Sequence, residues 1–256
     1  MSVKVDIADG IATVTLDRPE ARNAINIAMR EQLWVAFEAL SEDDAVKVVI
    51  LTGAGDHFCA GMDVKEMGGG GIDWSLTKIR RLHRISRAIM GLRKPVIAAV
   101  DGSCVGVGWS YALSCDFVIA SDRARFAQIF NKIGLAPDGG AVWLLRRYVG
   151  AMRARQIVYS ARMVPAEEAL QLGLVLETTS ADALMARAQA FARQLADAPS
   201  LAIGMAKRQF ALAETLSFDE FLEAETAMQP LMSRTDDHHE GIQAFREKRA
   251  PKFSGA

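Results

Sequence analysis

The sequence predicts an α/β fold followed by an all-helical tail, and three observations carry that expectation. Val46–Thr52, Pro95–Val100 and Phe117–Ala120 are short, nearly continuous apolar runs, the pattern of strands covered on both faces. Helical or Gly-rich stretches separate these runs, and such alternation goes with parallel pairing. Beyond residue 181 the strand signal stops. Ala181–Ala196, Ser200–Leu216, Phe218–Ser233 and Asp237–Lys248 then read as successive amphipathic helices.

The elements follow in order. Val3, Val5 and Ile7 alternate with polar residues, Asp9-Gly10 turns the chain, and Ala12, Val14 and Leu16 return, so a hairpin opens the sheet. Asn26 is placed to cap a helix whose apolar positions are Met29, Leu33, Phe37 and Leu40. Gly68–Gly71 is a tract of consecutive glycines, expected to be a flexible loop near a pocket entrance. Pro199-Ser200 separates the first tail helix from the next. The tail carries Phe210, Phe218, Phe221, Leu222, Met228, Leu231 and Met232, more apolar surface than those helices can bury among themselves.

Composition excludes several function classes. With 30 Lys+Arg against 31 Asp+Glu there is no basic excess for nucleic acid. No apolar run reaches the roughly 18 residues of a membrane span, and Met1–Asp9 has no secretory apolar core. Cys59, Cys104 and Cys115 form an odd set without C-x-x-C spacing, which argues against disulfides and a thiolate metal site. A soluble protein of a reducing cytoplasm is expected, with no membrane or nucleic-acid partner and no metal.

Chemistry concentrates at two Gly-bearing turns. Gly53–Asp63 follows the strand ending at Thr52, and Asp101–Gly108 follows the strand ending at Val100 and leads into a helix from about Val107. Small residues let a ligand approach backbone N–H groups, and two converging donors would form an oxyanion hole. Tight turns that simply need glycine are the alternative. A phosphate loop is disfavoured, because Tyr111 stands where G-x-G-x-x-G needs glycine.

An ordered set of motifs now resembles the crotonase (enoyl-CoA hydratase/isomerase) superfamily. It comprises Leu16–Asn26 (LDRPEARNAIN), Phe58–Asp63 (FCAGMD), Lys94–Gly102 (KPVIAAVDG), Gly106-Val107-Gly108, Cys115-Asp116 and Phe245–Phe253 (FREKRAPKF), and it spans essentially the whole chain. The resemblance implies a spiral of ββα units with a C-terminal helical trimerisation region: an acyl-CoA-binding core at 1–198, an oligomerisation region at 199–256, and a homotrimer or dimer of trimers. It further implies an acyl-CoA substrate, so coenzyme A enters with the substrate and no separate cofactor is expected. Backbone N–H groups of Met62 and Val107 would hold the thioester oxygen. Arg22, Ala24, Ala60, Gly61, Asp63 and Val64 would line the coenzyme path, with Lys252 of a neighbouring chain near its phosphate.

Departures from the family pattern carry the functional expectation. The hydratases use two glutamates, and those positions hold Ser110 and Phe130 here. Neither can replace a carboxylate in activating water or delivering a proton. Asp138, in Gly134–Gly140 (GLAPDGG), matches the branch of epoxyphenylacetyl-CoA and double-bond isomerases, where the resemblance implies that this aspartate is the acid/base. Asp is also a common helix N-cap, and Asp138 precedes a helix expected to run to about Val149. Phe130 or Trp143, if they wall the pocket, would raise its pKa, whereas a helix N-terminus would lower it.

Other candidates point elsewhere or to plain structure. Gly108–Ala112 (GWSYA) faintly resembles a nucleophile elbow at Ser110, which would need His57, His83, His238 or His239. His238 and His239 are adjacent and cannot chelate as an i, i+4 pair would. Asp63 and Glu66 suit capping, and His83 faces either water or a phosphate. The leading expectation is a double-bond isomerase of acyl-CoA. Hydration through Asp138 and water, thioester hydrolysis, and non-catalytic acyl-CoA binding are the alternatives.

Overall fold

A computed structural model describes residues 1–68 and 70–255. Among these, β1 (Val3–Ala8) and β2 (Ile11–Leu16) form the expected hairpin, with Val3 opposite Leu16. Its turn holds Asp9 and Gly10 at φ of 50° and 77°, the left-handed pair that a tight hairpin uses. Three parallel strands continue the sheet: β3 (Val48–Gly53), β4 (Val96–Val100) and, after a short β5 (Ser103–Val105), β6 (Phe117–Ser121). A late strand, β9 (Glu177–Thr179), joins the far edge, for the order β1-β2-β3-β4-β6-β9. A smaller sheet pairs β5 with β7 (Arg125–Ala127) and β7 with β8 (Val164–Pro165).

Both faces of the large sheet are covered. On one face lie α1 (Ile27–Glu42), α2 (Ile72–Gly91) and α3 (Val107–Ser114). Leu33, Phe37, Ile85 and Leu113 meet Val14, Leu51 and Val100 in the main core. Asn26 caps α1 as expected, its side chain accepting the Met29 N–H at 2.7 Å, an interaction worth about 1 kcal/mol. After α4 (Ala141–Ser160) and α5 (Ala166–Gln171), α6 (Leu184–Ala196) covers the opposite face. Its Leu184, Ala188, Ala192 and Ala196 pack on Val48, Ile50, Ile97 and Ile119. The helix expected to stop near Val149 instead breaks at Gly150 (φ 72°, ψ 167°) and resumes to Ser160.

The tail forms α7 (Ser200–Ala213), α8 (Phe218–Met232) and α9 (Asp236–Glu247). Lys207 ties α7 to the core through Asp116 at 2.6 Å. Phe210, Phe218 and Phe245 remain 79%, 74% and 87% exposed, so the apolar excess read from the sequence is not buried within one chain. Gly69 of the glycine tract lies outside the described residues. Among those described, no helix is long and apolar enough to cross a membrane. The strand-rich core and helical end are those the resemblance implies.

Candidate active site

Three extended segments run side by side at the carboxyl ends of β3 and β4. Cys59 N–H donates to Ser103 O and Val105 N–H donates to Cys59 O, both at 2.9 Å. On the other flank Ala60 N–H donates to Arg22 O (3.0 Å), Ile25 N–H to Gly61 O (2.8 Å) and Asp63 N–H to Ile25 O (2.9 Å). These bonds gather Arg22, Ala24, Ala60, Gly61, Met62 and Asp63 into one ledge, with exposed Val64 following. Gly108 brings the second turn against the first: a Cβ there would stand 2.6 Å from Cys59 Cβ, so only glycine permits the approach. Met62 and Val107 therefore sit on adjacent turns, and neither N–H donates to an acceptor among the described residues. Val107 opens α3, where the helix dipole adds partial positive charge.

Asp138 is held over this second turn through its backbone. The Ser110 hydroxyl lies 3.0 Å from Asp138 O, and Ser86 Oγ of α2 donates to Gly139 O at 3.0 Å. Gly139 has φ 63°, and a Cβ on it would fall 2.8 Å from Ser110 Cβ and 3.2 Å from Val107 Cγ2. The carboxyl is thereby left free. Its Oδ1 is buried and has no hydrogen-bond partner among the described residues. Burial pushes the Asp138 pKa from an ordinary 3.8 to about 6, with the Lys78 charge opposing.

One expectation about Asp138 is corrected. It is not the helix N-cap: Gly140, at φ 89°, occupies that position, and no side chain caps α4. Trp143 is not buried against the carboxyl. It is 44% exposed, with the Arg147 guanidinium stacked 3.6 Å from its ring centroid. Phe130 does line the site, for its ring lies 3.8 Å from where a Gly106 Cβ would be.

The remaining candidates separate clearly. Ser110 is fully buried, its hydroxyl shared between Gly106 O (3.3 Å) and Asp138 O, an arrangement unlike the exposed serine of a nucleophile elbow. His57 Nδ1 accepts the Ser103 N–H (3.1 Å), and His238 and His239 are exposed on α9. Burial and the Arg87 charge hold the half-buried His83 below its ordinary pKa. Asp63 accepts from Lys65 N–H (3.1 Å) and Arg18 Nη2 (3.0 Å), so its carboxylate serves a cap and an ion pair. Glu66 Oε2 accepts the Ile27 N–H at the start of α1 (2.6 Å). Arg22 projects into solvent from a left-handed residue (φ 51°). Burial pushes the Cys59 thiol up to about 12, which keeps it protonated and inert.

Lys252 is not brought to the site of its own chain. Its N–H donates to Glu240 (2.7 Å), and the chain end runs on past Asp237 to Ser200 and Lys47, at the start of β3 and away from the turns. Ser86 and Lys78 escaped the sequence reading because they sit in an amphipathic helix like any other polar residues. The paired glycines after Asp138 were the one available signal for the close packing there.

Residues 6–256 match the family described as enoyl-CoA hydratase/isomerase. The chain is 37% identical to the 1,2-epoxyphenylacetyl-CoA isomerase of Escherichia coli (strain K12), over 97% of each chain. It is 34% identical to the 2,3-dehydroadipyl-CoA hydratase of the same organism, over 96% of this chain and 95% of that one. A crystal structure of the enoyl-CoA hydratase from Bacillus anthracis superposes with a TM-score of 0.96 at 30% identity, covering 100% of both chains. The chain therefore belongs to the enoyl-CoA hydratase/isomerase family, the crotonase superfamily.

Proposed function

We propose that the protein shifts the double bond of an unsaturated acyl-CoA by a 1,3-proton transfer, with Asp138 as the sole acid/base. The observation that carries this reading is the Asp138 carboxyl, whose buried Oδ1 has no hydrogen-bond partner among the described residues, raised in pKa and held beside the Val107 turn. A pKa near 6 leaves Asp138 ionised at neutral pH yet basic enough to accept a proton. The N–H groups of Met62 and Val107 hold the thioester oxygen and stabilise the dienolate, each donor worth roughly 3–4 kcal/mol in the transition state. Asp138 takes the proton from one carbon and returns it two carbons away.

Ordinary two-carboxylate hydration has no second acid in this reading, since Ser110 holds backbone and Phe130 has no proton to exchange. Hydration by Asp138 and one water is the second reading, favoured by the relatives that are named hydratases. Arg22, Ala24 and the Ala60–Val64 ledge line the coenzyme path, and Lys252 reaches it from a neighbouring chain. Residues 199–256 form the oligomerisation region of a trimer or dimer of trimers, because their exposed phenylalanines need a partner surface. Incubation with a 3-enoyl-CoA, followed by the absorbance of the conjugated thioester, tests the activity. Conjugation supports the proposal, and inertness toward both 2-enoyl- and 3-enoyl-CoA overturns it.

A further inference from the structure

One aromatic ring stands where the two turns of the candidate site meet. A Cβ built on Gly106 would lie 3.8 Å from Phe130 Cζ and 3.9 Å from both Phe130 Cε2 and Gly61 Cα. These are ordinary contact distances, so the space at Gly106 is open and the buried Phe130 ring forms one of its walls. Gly61 directly precedes Met62, and Gly106 directly precedes Val107. The ring tip therefore borders the backbone segments that carry both proposed oxyanion donors.

Backbone bonds fix that ring from both sides. Gly106 N–H donates to Ala127 O at 2.9 Å, which ties β7 to the second turn just before Phe130. Leu135 N–H donates to Phe130 O at 2.9 Å, and Asn131 Nδ2 donates to Tyr159 O of α4 at 2.5 Å. The Asp138 loop packs on the next residue of the same turn, since a Cβ on Gly139 would meet Val107 Cγ2 at 3.2 Å. Phe130 and the Asp138 loop thus flank consecutive residues, Gly106 and Val107. Water finds little to hold it there. The Ser110 hydroxyl is committed to Gly106 O and Asp138 O, the Ser86 hydroxyl to Gly139 O, and ring carbons offer no hydrogen bond. An ordered water needs roughly two to four polar partners.

We infer that Phe130 decides the outcome of the reaction by keeping water from the reacting carbons, so that the dienolate is reprotonated on carbon and no water adds. The inference rests on the acyl-CoA and double-bond-shift reading above. A thioester oxygen held at the Met62 and Val107 N–H groups sets the adjoining carbons against the space that Phe130 walls. Hydration needs a water in that space. Its oxygen would bond to the carbon β to the thioester, one of its protons would pass to Asp138, and the α carbon would receive a proton. Isomerisation moves only a proton, through Asp138, and consumes no water. The ring denies room to the first path and leaves the second intact.

The test uses the full-length protein, a 2-enoyl-CoA and water labelled with a heavy oxygen isotope. Mass spectrometry gives the ratio of initial rates for hydrated and isomerised product. Wild type should form the isomer with little labelled product. Phe130→Ala opens the space to water and should raise the ratio by on the order of tenfold or more. Phe130→Gln keeps most of the volume but gives water a partner, and it should raise the ratio as well. That variant decides the question if thermal unfolding shows that Phe130→Ala does not fold. Phe130→Leu refills the space with hydrocarbon and should hold the ratio within about threefold of the wild-type value. An unchanged ratio in the folded Phe130→Ala and Phe130→Gln proteins would overturn the inference, and so would hydration as the main wild-type reaction. A wild type that converts no enoyl thioester would instead overturn the double-bond reading itself.

Discussion

The Ser110 hydroxyl lies 3.0 Å from the main-chain oxygen of Asp138. The Ser110 side chain is thus spent on positioning the backbone of Asp138, whose buried Oδ1 has no hydrogen-bond partner among the described residues. Ser110→Ala removes that tether without touching the carboxyl. It should lower kcat by about tenfold or less, leave KM nearly unchanged, and cost about 1 kcal/mol of stability. Steady-state kinetics and denaturant unfolding check it. A loss as large as that from removing Asp138 itself would mean that Ser110 takes part in the chemistry.

Asp138 also links activity to pH. With a folded pKa of about 6, kcat/KM should rise with pH through that value as the base ionises. Stability should move the other way. The folded-state pKa lies above the ordinary 3.8, so the folded chain binds more protons in between. Its stabilising contribution is full below about 3.8 and is lost as pH rises through about 6. Asp138→Asn should therefore be more stable than wild type at pH 7 by on the order of 1–3 kcal/mol, with the gap closing toward pH 4. Urea melts at the two pH values measure this, and a variant less stable than wild type at pH 7 would count against a buried charged carboxyl.

Gly139→Ala attacks the same packing from the other side. The added Cβ would lie 2.8 Å from Ser110 Cβ on a residue with φ 63°, so either α3 or the Asp138 loop must shift. A stability loss of roughly 1–3 kcal/mol and a fall in kcat larger than that of Ser110→Ala are expected. Unchanged kcat would show that Asp138 does not depend on this contact.

Much of this architecture was legible because local signals agreed with the tertiary environment. Asp9-Gly10, the Asn26 cap and the continuous apolar runs each dictate one backbone solution, and the structure adopts it. β5, β7, β8 and β9 are two or three residues long, too short to show a period, and exist only through their partners. Asp138 looked equally suited to capping and to catalysis. Left-handed conformations at Gly139 and Gly140 decided against capping, by starting α4 beyond its reach.

Light scattering should give a mass three or six times that of the chain. Phe210, Phe218 and Phe245 would be covered in such an assembly, and their replacement by serine should shift the mass toward the monomer while the core stays folded. A wild-type monomer at micromolar concentration contradicts the assignment of residues 199–256.

The most direct measurement of the central claim is incubation of 2-enoyl- and 3-enoyl-CoA with the protein in deuterated water, followed by mass spectrometry. A single-base double-bond shift predicts interconversion of the two isomers with deuterium entering the acyl chain and no addition of water. Asp138→Asn should slow that conversion by on the order of 10²–10⁴ while still binding the thioester. Hydrated product as the main species, or full isomerisation by Asp138→Asn, would contradict the account.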